Sequence, residues 1–76
     1  MNIKIYPKTG KTLNFPFLVK TPEAVIRVIE TLVGDKCAPN GIPYWQEVEG
    51  WADLATIGEV YETEDFRAVC MPDSYR

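Results

Sequence analysis

Histidine is absent from this 76-residue chain, which removes the commonest general base and the commonest metal ligand. Cysteine is scarce: Cys37 and Cys70 are the only two, too few for the disulfide framework of a small secreted scaffold and too far apart for a CxxC motif. Neither thiol has a histidine to activate it as a nucleophile. Both are expected to be reduced and partly buried, since free cysteine packs like a small hydrophobe, with a Cys37–Cys70 bridge as the alternative. Long apolar runs are missing too. Nothing approaches the roughly 18 residues of a membrane span, and Met1–Pro7 has no apolar signal-peptide core, so the expectation is a cytoplasmic chain that neither enters a membrane nor is secreted. Gly10-Lys11-Thr12 ends like a phosphate loop, but Ile5 stands where the first glycine of GxxxxGK[ST] would fall. The Asp-x-Asp-x-Asp-Gly pattern of a calcium loop is also lacking, so no metal, no cofactor and no catalytic set is expected.

What is present is enough to fold. The chain is 46% hydrophobic and 25% charged, a globular balance rather than that of a disordered segment, and its length fits one domain spanning residues 1–76. Ile3 and Ile5 alternate with polar neighbours, and a second apolar run covers Leu13–Val19. Pro7-Lys8-Thr9-Gly10-Lys11 between them is turn-like, which predicts an N-terminal hairpin, its second strand shortened by Pro16. Thr21-Pro22-Glu23 carries a cap, a first-turn proline and an acid in the order that opens a helix. Val25, Val28, Ile29, Leu32 and Val33 then follow helical spacing up to Gly34, with Arg27 and Glu30 opposite.

Asp35–Pro43 contains two prolines and an Asn-Gly step and reads as a loop, with Pro43 suited to open the next helix. That second helix is expected over 43–57, with Tyr44, Trp45, Val48, Trp51, Ala52 and Ala55 inward and Gln46, Glu49, Asp53 and Thr56 outward, and with a break or bend at Gly50. Glu59–Thr63 and Phe66–Met71 form a closing hairpin turned around Glu64-Asp65, with Phe66, Ala68 and Cys70 facing inward. The fold class is therefore α+β: hairpin, helix, helix, hairpin, with the helices packed on an antiparallel sheet.

Charge is the most informative feature. Residues 1–36 carry six basic against three acidic side chains, a balance of +3; residues 37–76 carry two against eight, a balance of −6. Between Tyr44 and Asp65 every charged residue is an acid: Glu47, Glu49, Asp53, Glu59, Glu62, Glu64 and Asp65. Such a segment repels itself unless something basic lies near it. One explanation is a solvated face, partly neutralised by lysines of the first hairpin. A second is a docking surface for a basic protein, in which complementary fields steer association; the third, a divalent-cation site, has only scattered carboxylates that specify no coordination geometry. The candidate partner-binding residues are those seven acids together with Tyr61. Tyr44, Trp45, Trp51 and Tyr61 also suggest a binding platform, but their acidic neighbours disfavour direct nucleic-acid binding, which needs cations for the phosphates.

The stretch from Trp51 to Phe66, Trp-Ala-Asp-Leu-Ala-Thr-Ile-Gly-Glu-Val-Tyr-Glu-Thr-Glu-Asp-Phe, about a fifth of the chain, resembles the C-terminal part of short uncharacterised proteins of phages and mobile elements of gut Firmicutes. Small acidic proteins from that setting include anti-CRISPR inhibitors, some of which present carboxylates where a nuclease expects DNA phosphates. The resemblance implies an inhibitor of a host nucleic-acid-handling factor. The expected function is thus non-enzymatic protein binding through the acidic surface. Two alternatives stand beside it: a small-molecule binder or sponge with an aromatic pocket around Trp45, Trp51 and Tyr61, and an enzyme working through a carboxylate pair.

Overall fold

A computed structural model describes residues 1–8 and 16–72. Their order is β1 (Ile3–Pro7), β2 (Phe17–Val19), α1 (Pro22–Val33), α2 (Tyr44–Leu54), β3 (Val60–Glu62) and β4 (Phe66–Cys70). The four strands form one antiparallel sheet in the order β2-β1-β4-β3. The first and last strands are therefore neighbours at its centre, and each hairpin contributes one edge. Both helices pack on one face, giving the α+β architecture that the sequence pattern predicts. No helix among the described residues is long and apolar enough to cross a membrane.

Alternation along the strands decides which face is covered. Ile3 and Ile5 of β1 and Phe66, Ala68 and Cys70 of β4 point inward and are buried, joined by Val19 of β2. Against them the helices set Val25 and Ile29 of α1 and Val48 and Ala52 of α2. Lys8 N–H donates to the Asp65 carbonyl at 2.8 Å, and Met71 N–H to the Asn2 carbonyl at 2.7 Å. These two bonds set the phase of the β1–β4 ladder: even-numbered β1 residues bond toward β4 and odd-numbered ones turn away. Pro7 has no N–H to give, and in this phase it costs that central ladder nothing. The expected second strand, Leu13–Val19, is strand over Phe17–Val19, directly after Pro16; Leu13 to Phe15, and the turn residues Thr9 to Lys11, lie outside the described residues.

The first helix has the predicted bounds. Thr21 Oγ1 accepts from Ala24 N–H at 3.1 Å, Pro22 occupies the first turn, and Gly34 ends the helix at φ +60° with its N–H on the Glu30 carbonyl. A positive φ of this kind favours glycine. The second helix differs from expectation in two ways. It runs unbroken through Gly50 and stops at Leu54, not at residue 57. Beyond its end a local turn forms, in which Glu59 Oε1 takes both the Thr56 N–H (3.0 Å) and the Thr56 hydroxyl (2.7 Å), and a residue from β4 closes on it, the Cys70 thiol lying 3.8 Å from the Ala55 carbonyl. The two thiols are free, with Cys70 buried and Cys37 exposed; the partly buried environment expected for both holds for neither.

Candidate functional site

The closing hairpin turns tightly. Thr63 N–H donates to the Phe66 carbonyl at 2.9 Å, and Thr63 Oγ1 accepts from the N–H groups of Asp65 and Phe66, each at 3.1 Å. A threonine hydroxyl used in this way stands in for a backbone turn partner. Glu64 and Asp65 are thereby held at the hairpin tip.

Facing that tip is the loop between the helices. Ala38 N–H donates to the Ile42 carbonyl and Gly41 N–H to the Ala38 carbonyl, both at 2.8 Å, while Gly41 adopts φ +87°, so the Asn-Gly step makes the turn its composition suggests. Asn40 bonds its own loop through Oδ1 to Ile42 N–H and reaches α2 through Nδ2 to Glu47 Oε1, each at 3.0 Å.

Between loop, helix start and hairpin runs an open groove of about 650 Å³. Five of the eight expected partner-binding residues line it: Glu47, Tyr61, Glu62, Glu64 and Asp65. Glu49 and Asp53 belong to the outer surface of α2 away from this groove; Asp53 borders a separate recess near the chain's first residues and Met71. Glu59 is engaged by Thr56, whose hydroxyl and N–H hold its carboxyl below the ordinary glutamate range.

Two lysines from the basic half of the chain meet the acids. Lys8 forms an ion pair with Glu62 and also donates to the Thr63 carbonyl at 2.9 Å; Lys36 pairs with Asp65 at 2.7 Å. Hydrogen bonding and charge from Lys8 lower the Glu62 pKa, and the same interactions with Asp65 raise that of Lys36. All four side chains are partly or largely exposed, and such pairs contribute little to stability. What they do is divide the acids. Of the seven acids, Glu47, Glu49, Asp53, Glu59 and Glu64 have no ion-pair partner among the described residues, and of these Glu47 and Glu64 share the groove.

The aromatic residues mostly build the wall behind the groove. Tyr44 meets Phe66 edge-on at 5.9 Å between ring centres, Tyr61 stacks on Phe66 at 6.3 Å, and Trp51 leans on Tyr61 at 5.8 Å. Burial raises the Tyr61 phenol pKa, with smaller contributions from Glu47 and Tyr44. Neither Trp45 nor Trp51 lines the groove; both pack against the core. Tyr44 belongs to the aromatic platform that the sequence suggests, whereas Asn40 and Lys36 are groove residues that the sequence reading does not mark. The Asn-Gly step beside two prolines is the signal for Asn40, while Lys36 is separated from Asp65 by 29 residues with no local cue. No group of three or more Cys, Asp or Glu side chains among the described residues is arranged to hold a metal ion.

No family model matches the chain, and no curated protein and no solved structure matches it either.

Proposed function

We propose that the protein is a non-enzymatic binding module that docks a basic protein surface in the groove between the closing hairpin and the start of α2. The observation that supports this reading is the convergence of Glu47, Glu62, Glu64 and Asp65 from two separate elements onto one concave surface. Two of these carboxylates, Glu47 and Glu64, form no ion pair among the described residues and are open to a cation from outside. Tyr44 and Tyr61 supply the rigid aromatic floor that recurs at interface centres. Charge complementarity of this kind speeds encounter and selects among partners more than it adds raw affinity. The resemblance of residues 51–66 to phage and mobile-element proteins extends the proposal to an inhibitor of a host nucleic-acid-handling factor, with these carboxylates competing for a phosphate-binding surface.

The test is quantitative affinity capture from the presumed host, comparing wild type with Glu47→Lys/Glu64→Lys. Basic nucleic-acid-binding proteins should be retained by wild type, lost from the double variant, and released from wild type by added salt as the charges are screened. The same proteins captured equally by both, with no salt dependence, would remove the groove from consideration.

A further inference from the structure

The closing hairpin exposes a strand edge along the groove. Thr63 N–H bonds the Phe66 carbonyl at one end of the β3–β4 ladder, and Cys70 N–H bonds the Glu59 carbonyl at 2.9 Å at the other. In an antiparallel pair hydrogen-bonded and non-bonded positions alternate. With Tyr61 opposite Ala68, Tyr61 bonds inward to β4, and the N–H and C=O groups of Val60 and Glu62 face away from the sheet. No hydrogen bond from any other described residue reaches those four groups.

The two edges of the sheet differ. β2 follows Pro16 and precedes Lys20, and proline and lysine are devices by which natural edges resist pairing with another chain. β3 and its flanks carry neither. Instead Glu59, Glu62 and Glu64 lie in it or flank it, and its own apolar residue, Val60, is 50% exposed. Acids on both copies would repel a second molecule of this chain, whereas they attract a basic strand.

We infer that β3 is a site of strand addition for an extended basic segment of a partner protein. This rests on the reading of the groove as an acidic docking surface and specifies the form in which the partner enters. The added strand bonds the outward N–H and C=O groups of Val60 and Glu62. Alternate side chains of that strand share the sheet face of Val60 and Glu62 and are expected to be Lys or Arg beside the Glu62 carboxylate; the intervening ones share the face of Tyr61 and are expected to be apolar.

The probes are a short synthetic peptide alternating lysine with valine and the same peptide with all internal amides N-methylated, which keeps the charge and removes the donors. The unmethylated peptide should bind, lose affinity with salt, and slow hydrogen exchange at the Val60 and Glu62 amides of the protein. The methylated one should bind about tenfold more weakly, the effect of roughly one or two backbone hydrogen bonds. Val60→Pro removes one outward N–H at the first residue of a strand, where proline is tolerated; it should weaken the unmethylated peptide and leave the methylated one unchanged. If that variant does not fold, the peptide pair alone decides. Equal, salt-sensitive binding of both peptides would overturn strand addition while leaving the acidic docking surface intact. Binding of neither would overturn both.

Discussion

At the scale of single residues, local chemistry predicts more than burial does. Gly50 lies on the exposed side of an unbroken helix, and a Cβ built there meets nothing within 4 Å. Gly50→Ala should therefore raise stability by about 0.5–1 kcal/mol, read as an increased denaturation midpoint with an unchanged slope. Gly58 also has open space around it but adopts φ +92°; Gly58→Ala should destabilise, because an alanine side chain disfavours that backbone region. Glu59 and Glu62 make a pH prediction. Their folded pKa values lie below the ordinary range, so their contribution is present above the unfolded glutamate pKa and fades as pH falls through the folded values. Lys36 has the opposite sign: its pKa is raised, so its contribution is lost only as pH climbs beyond the normal lysine range. Carboxyl carbon shifts followed by NMR should give midpoints for Glu59 and Glu62 below the ordinary glutamate range, and Thr56→Val should bring Glu59 back toward it.

At the scale of elements, α1 was legible because everything that defines it is local: a cap at Thr21, Pro22 in the first turn, an apolar stripe and Gly34. Ile29→Ala should cost about 2–5 kcal/mol, the range for emptying a packed position, while Arg27→Ala, on the exposed side, should cost well under 1 kcal/mol; chemical denaturation of the two variants measures both. Equal sensitivity at the two positions would mean that the buried face is misassigned. The end of α2 was not legible. Residues 55–57 carry no helix breaker before Gly58; the chain leaves the helix into a local Thr56–Glu59 turn, a pairing of common residue types that composition does not single out, while Cys70 approaches Ala55 from 15 residues away, beyond any local window. The expected break at Gly50 fails for a related reason: the penalty for glycine in a helix is modest, and Val48 and Ala52, packed into the core on either side of it, hold the helix together.

At the scale of the whole molecule, the opposite charges of the two halves meet in the fold. Lys8 and Lys36 reach the closing hairpin from 54 and 29 residues away, so the acidic run is partly neutralised in the native state and wholly unneutralised along an extended chain. The run itself could be read from composition, and so could its candidate partner role. The division into paired carboxylates, Glu62 and Asp65, and unpaired ones, Glu47 and Glu64, could not, because it depends on which loops face each other. Moderate salt should consequently have little effect on thermal stability, since exposed pairs contribute little, while any association through the groove should weaken steeply over the same range. Parallel melting and binding series at stepped ionic strength separate the two.

The position of β1 has a consequence for how the chain reaches this state during synthesis. β1 leaves the ribosome before the other strands, yet it lies between β2 and β4, and β4 is made more than fifty residues later. Until Phe66–Cys70 emerges, Ile3 and Ile5 have only the short β2 beside them, and α1 and α2 have no completed sheet on which to settle. Closing so long a loop is slow compared with forming either helix. A nascent chain arrested before Phe66 should therefore show helical signal without protected β1 amides, and protection should appear throughout the sheet in a single step once β4 is free.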